Sequence, residues 1–218
     1  MTGGSSAQSR ARIQKVVTSG QFALDGGSWD VDNNVWLVGD DSEVLVVDAP
    51  HDAEAIAAAV DGRTVLAIVL THGHNDHLNA SIALRDLTGA PIWFPAADTM
   101  LWEAEHGTDV RPDHDLVDGD TFEVAGSTLR AIATPGHSPG STCLFSQDLG
   151  VLFSGDTLFQ GGPGATGRSY SSFDTIVASI RDRLLTLPDD TVVHTGHGDD
   201  TRIGDEAPHL QEWIDRGH

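Results

Sequence analysis

Four metal-capable side chains fall within six residues at His72-Gly73-His74-Asn75-Asp76-His77, an H-x-H-x-D-H run. It follows directly on the apolar stretch Thr64-Val65-Leu66-Ala67-Ile68-Val69-Leu70. A buried strand that empties into such a cluster constrains the fold strongly, because it places a metal site at a sheet edge. In extended chain His72 and His74 project to the same side. Gly73 lets the backbone bend between them. Asp76 and His77 fall at a predicted helix start. Two imidazoles can then face one cation, while a carboxylate and a third imidazole face a second. Imidazole with carboxylate suits zinc, iron or manganese.

Three later segments repeat one design, a metal-capable residue after a strand, wrapped in glycine: Thr134-Pro135-Gly136-His137-Ser138-Pro139-Gly140, Phe153-Ser154-Gly155-Asp156-Thr157-Leu158-Phe159 and Thr195-Gly196-His197-Gly198. Each alone is an ordinary loop. Together, downstream of H-x-H-x-D-H, they form one constellation.

Around these motifs the apolar pattern predicts strands at 35–38 and 43–48 joined by a hairpin turn, then a strand at 63–70. Short strands follow at 121–124, 128–133, 141–145 and 151–154, and a last one at 191–194. Helices are expected at 52–60, 76–87, 99–106, 172–187 and 206–216. Residues 1–20 read as a polar N-terminal segment, and 21–218 as one α/β domain of mixed sheets covered by helices.

The formal net charge is −21, with a single lysine, Lys15. Such a surface repels phosphate backbones, so nucleic acid is not an expected partner. No apolar run reaches the roughly 20 residues that span a bilayer, so no membrane partner is expected either. One cysteine, Cys143, rules out an internal disulfide. With no signal-peptide pattern at the start, this makes the cytoplasm the expected location. Cys143 reads as a core residue rather than a nucleophile. His51, His106, His114, His194, His209 and His218 fit no ligand pattern and read as packed or exposed histidines.

The four motif segments resemble the metallo-β-lactamase superfamily over a stretch from about Val31 to the C-terminus. The resemblance implies an αβ/βα four-layer sandwich, with two facing mixed β-sheets, helices outside and the site at one edge. It implies two divalent ions, zinc first, with iron or manganese as alternatives. By position His72, His74 and His137 would hold one ion, Asp76, His77 and His197 the other, and Asp156 would bridge them. His72, His74, Asp76 and Asp156 would form the catalytic set, acting through a metal-bound hydroxide. Asp48 matches a position that orients a ligand imidazole. Arg168 and Tyr170 fall where related enzymes contact substrate.

Within the superfamily the motifs most resemble the glyoxalase II group, which hydrolyses thioesters of small thiols. Dinuclear β-lactamases often carry Cys where Asp156 stands. The sequence ends about twenty residues after His197, short of the helical glutathione-binding domain of full-length glyoxalase II, which leaves another small thiol open as carrier. The expected function is thus a metallohydrolase of small-molecule thioesters, acting as a monomer or homodimer. The alternatives are a persulfide dioxygenase with one iron on His72, His137 and Asp156, or a lactonase of the same superfamily.

Overall fold

The computed structural model describes residues 11–217. One sheet runs in strand order through β1 (Arg12–Leu24), β2 (Gly27–Gly39), β3 (Glu43–Val47), β4 (Thr64–Val69), β5 (Ile92–Phe94) and β6 (His114–Asp115). Later come β7 (Thr121–Val124), β8 (Ser127–Ala133), β9 (Thr142–Ser146), β10 (Val151–Gly155), a small pair β11 (Leu158–Phe159) and β12 (Gly162–Pro163), then β13 (Val192–Thr195) and β14 (Thr201–Arg202). The second sheet is ordered β14-β13-β10-β9-β8-β7.

Period-two alternation builds the layers. Trp36 and Val38 of β2, Leu45 and Val47 of β3 and Val69 of β4 face Leu129, Ala131, Leu144 and Phe153 of the second sheet. Their neighbours Val35, Leu37, Val44, Val46 and Ile68 point the other way. There they pack under α1 (Ala53–Val60), α2 (Asn75–Leu78), α3 (Ser81–Thr88) and α4 (Thr99–His106), through Ile56, Leu78, Leu84 and Trp102. The outer face of the second sheet packs Leu152 and Val193 against Ile176 and Val177 of α5 (Phe173–Ser179). The chain closes through α6 (Ile203–Glu206) and α7 (Leu210–Arg216), which buries Trp213. Helix, sheet, sheet, helix is the expected αβ/βα sandwich. Strands buried on both faces explain why they read as continuous apolar runs.

Strand direction gathers the site. β3 and β4 are parallel, so both end at one edge of the first sheet. β8 and β10 both run antiparallel to β9, and β13 runs parallel to β10, so all three end at one edge of the second. Thr142 N donating to Thr71 O at 2.8 Å ties the two edges together.

Three expectations need correction. The polar segment expected over 1–20 lies outside the described residues up to residue 10, but Arg12–Leu24 is a strand paired along its whole length with β2. An edge strand with most side chains in solvent carries little apolar pattern, and its ladder of backbone hydrogen bonds holds it instead. The helix expected at 76–87 is broken between α2 and α3. Ala80 N donates to Ala49 O at 3.0 Å and Ala49 N to His77 O at 2.9 Å, so the loop after β3 takes backbone groups that a continuous helix would use. The helix expected at 172–187 is regular only over α5, then widens at Ile180–Leu184, where Leu185 N reaches back to Ile180 O. No described helix is long and apolar enough to cross a membrane.

Candidate metal centre

The seven side chains singled out in the sequence converge at the shared edge of the two sheets. His72 and His74 lie on the loop after β4, and Asp76 and His77 on α2. His137, Asp156 and His197 follow β8, β10 and β13. Ligand-type atoms of His72, His74 and His137 lie within 4.8 Å of one another, and so do those of Asp76, His77 and His197. Asp156 stands between the groups. Its Oδ1 is 3.3 Å from His77 Nε2, and its Oδ2 is 3.4 Å from His197 Nε2 and 3.6 Å from His137 Nε2.

The outward nitrogens of four imidazoles meet protein oxygens. His72 Nδ1 is 3.1 Å from Thr71 Oγ1, which spends its own proton on Asp48 Oδ2 at 2.9 Å. His137 Nδ1 donates to Ala165 O and His197 Nδ1 to Asp32 O, both at 2.8 Å. His77 Nδ1 lies 2.9 Å from Asp48 Oδ2. Protons held on the outside leave lone pairs on the inside. Those inner nitrogens crowd together: His74 Nδ1 is 3.1 Å from His72 Nε2 and 2.9 Å from His137 Nε2. Asp76 Oδ1 and Asp156 Oδ1 are buried with no aligned hydrogen-bond donor. Converging lone pairs and orphaned carboxylate oxygens fit a bound cation, and the cluster suits divalent metal.

The electrostatics divide the two groups. Burial and then the neighbouring imidazoles hold His72 well below the ordinary histidine range and His74 down at about 3. His72 and His74 are therefore neutral and free to ligate. For His197, burial opposes protonation, but Asp156 and Asp76 raise it to about 10. His77 is raised well above its usual range against the same opposition, by Asp156, Asp76 and Asp48. This group demands positive charge, which a proton or a cation can supply.

Two supports escaped the sequence. Asp98, fully buried ahead of α4, accepts Gly73 N at 2.8 Å, Gly140 N at 2.6 Å and Ser138 Oγ at 2.6 Å, so one carboxylate braces the His72–His74 loop against the His137 loop. A Cβ on Gly73 or Gly140 would come within 2.7 Å of Asp98, which is the close approach that those glycines permit. Asn33, also fully buried, points its Nδ2 at Asp76 Oδ2 from 3.1 Å. Nothing in the local sequence distinguishes Asp98. Asn33 sits in Asp32-Asn33-Asn34, where two adjacent amides ahead of an apolar strand were the one available signal.

The outer halves of β1 and β2 form a ribbon against the site. Phe22 sets its ring edge on His74 at 5.2 Å and stacks on Trp29 at 5.7 Å. Arg168 lies over the Trp29 ring at 3.9 Å and near Phe22 at 5.6 Å. Ser169 N donates to Asp25 Oδ2 at 3.0 Å and Ala23 N to Asn75 Oδ1 at 2.8 Å, closing ribbon and loop together. Tyr170 is 53% exposed with φ of 68°. Cys143 is buried in the core, its thiol pushed up to about 11 by burial, which suits packing and not attack. His51, His106, His114, His194 and His209 fall in none of the metal-type groups, and His218 lies outside the described residues.

Asp48 accepts Thr71 N, Thr71 Oγ1 and His77 Nδ1 together. Asp48→Asn must turn an NH2 toward one of these donors. Metal affinity should fall about 10–100-fold, the usual cost of losing an outer partner of a ligand histidine, as read by competition with a chelator.

Comparison with known proteins agrees with this geometry. A family model described as the metallo-beta-lactamase superfamily matches residues 29–197. Hydroxyacylglutathione hydrolase GloC of Haemophilus influenzae is 31% identical over 188 residues, which cover 79% of this chain and 89% of that one. The crystal structure of BLEG-1 B3 metallo-beta-lactamase matches with a TM-score of 0.71 at 32% identity, over 90% of this chain and 99% of that one. TTHA1623, crystallised in a di-iron-bound form, matches with a TM-score of 0.71 at 31% identity, over 81% and 93%.

Proposed function

The chain belongs to the metallo-beta-lactamase superfamily, and from that premise we propose that it is a dinuclear metallohydrolase of small-thiol thioesters. The observation that carries this reading is Asp156, a carboxylate between two groups of histidines, with Oδ1 toward His77 and Oδ2 toward both His197 and His137. His72, His74 and His137 would hold one divalent ion, Asp76, His77 and His197 the second, and Asp156 both. Ions bound there would lower the pKa of water and polarise a carbonyl oxygen. Zinc is the first choice, and the di-iron form of a relative makes iron the second.

The side chains do the rest. Asp48, Thr71, Ala165 and Asp32 fix the imidazole rings from outside, so the site is organised before substrate arrives. Asp76 Oδ1, buried and without a donor, would both face the second ion and accept the proton of an attacking water. The thiolate leaves without an acid to protonate it, since a thiol of pKa about 8.5 is already a good leaving group. Arg168, held on Trp29 and Phe22 beside His74, binds an anionic part of the substrate. The GloC name of a relative supports a hydroxyacylated thiol as substrate class.

The test joins metal content to substrate. Protein purified without added metal should carry two equivalents of zinc or iron by elemental analysis. It should hydrolyse S-lactoylglutathione, followed at the thioester absorbance, faster than a β-lactam. One iron with oxygen uptake on glutathione persulfide, or faster turnover of the β-lactam, would overturn the proposal.

A further inference from the structure

Hydrogen-bond directions around His51 resolve into a single chain. The backbone N–H of His51 can only donate, and it reaches Asn79 Oδ1 at 2.6 Å. That fixes the Asn79 amide, so the group 3.2 Å from His51 Nδ1 is Asn79 Nδ2, a donor. His51 Nδ1 is therefore an acceptor, and its ring proton sits on Nε2. Nε2 lies 2.9 Å from Asn33 Oδ1 and donates to it. Asn33 must then turn its NH2 inward. That NH2 is 3.1 Å from Asp76 Oδ2 and 3.3 Å from both His77 Nε2 and His197 Nε2.

The surroundings hold this chain in register. Gly20 of β1 lies flat on the His51 ring, where a Cβ would be 2.2 Å from Nδ1. Thr18 Oγ1 donates to Pro50 O at 3.1 Å and pins the turn that carries His51. His51 itself sits at φ of 61°, a conformation that non-glycine residues adopt at a cost. The donor ends on the second group alone. No hydrogen bond joins Asn33 to His72, His74 or His137 among those of the described residues.

We infer that Asn33 is a positioning residue for the second metal group, holding the Asp76 carboxylate through Oδ2 while His51 and Asn79 hold Asn33. A buried carboxylate that accepts one fixed donor keeps one orientation, so its ligand geometry is set before a cation arrives. Asn33 thereby sets how firmly the second ion is retained relative to the first. The inference rests on the dinuclear reading above.

The test is a titration of chelator-stripped protein with zinc alone, in competition with a fluorescent chelator, which yields a dissociation constant for each equivalent. Asn33→Ala should weaken the second equivalent about 10–100-fold and leave the first within about twofold. His51→Ala should weaken the same equivalent by less. In the double variant the two losses should not add, because His51 acts through Asn33. A general loss of packing would move both equivalents and would add. Unchanged binding in Asn33→Ala, an equal loss at both equivalents, or full additivity would overturn the inference. A wild-type protein that takes a single equivalent would overturn the dinuclear reading itself, and this inference with it, whereas two equivalents with an unresponsive Asn33→Ala would overturn this inference alone.

Discussion

Asp156→Ala should lose metal and hydrolysis together, with kcat/KM down by ~10³ or more. The size follows from what is removed. Lewis-acid activation by bound ions is worth several kcal/mol of transition-state stabilisation, and each 1.36 kcal/mol is tenfold in rate. No other described carboxylate faces both groups: Asp156 Oδ1 turns to His77, and Oδ2 to His197 and His137. Without it, His197 and His77 also lose the strongest influence raising their proton affinity. Elemental analysis of the variant should show well under two equivalents. Full activity at full occupancy would contradict the bridging assignment. Asp156→Asn separates charge from shape. It keeps the two-atom reach but lacks the negative charge, so occupancy should fall between wild type and alanine.

Asp98→Ala carries the second large effect, this time on stability. The buried carboxylate accepts two backbone N–H groups and one hydroxyl, from three residues on two different loops. Truncation strands the two buried backbone N–H groups of Gly73 and Gly140, while Ser138 Oγ keeps Ser141 Oγ at 2.9 Å as its partner. At about 1–3 kcal/mol for each stranded group, and with partial relaxation, the loss should be about 3–5 kcal/mol. A chain of this size would then melt ~10 °C lower. The loops it joins carry His72, His74 and His137, so affinity at the first ion should drop as well. Thermal denaturation of metal-free Asp98→Ala beside metal-free wild type reads the effect without metal. Equal melting temperatures would show that water or a neighbouring side chain satisfies those donors.

These cases show where the sequence was legible. His72, His74, Asp76 and His77 were readable because their geometry is local: alternation on an extended segment, then a helix start. His137, Asp156 and His197 were readable as a set because each follows a strand and sits among glycines. Asp98 was not, since its role depends on two loops that approach it only in the folded chain. Asn33 was not for the same reason, its partners Asp76, His77 and His197 lying 43 to 164 residues away. The layered fold followed from short apolar runs separated by turns and interleaved with helical patterns. β1 was lost because an edge strand in solvent shows no such run, and the break after α2 because its cause is the backbone of Ala49, which has no sequence signature.

The ribbon of β1 and β2 has a consequence of its own. Every candidate ligand is rooted in the loops at the sheet edges or in the short α2, while the aromatic wall beside His74 is hung on the paired strands β1 and β2. Reactive machinery and gatekeeping surface thus occupy separate parts of the chain. Phe22 rests on His74, but the ribbon beyond it, around Asp25 and Trp29, can be lengthened, shortened or exchanged while the groups that would grip the ions stay in place. A scaffold organised in this way can acquire new clientele by tailoring its doorway and leave the furnace behind it unaltered.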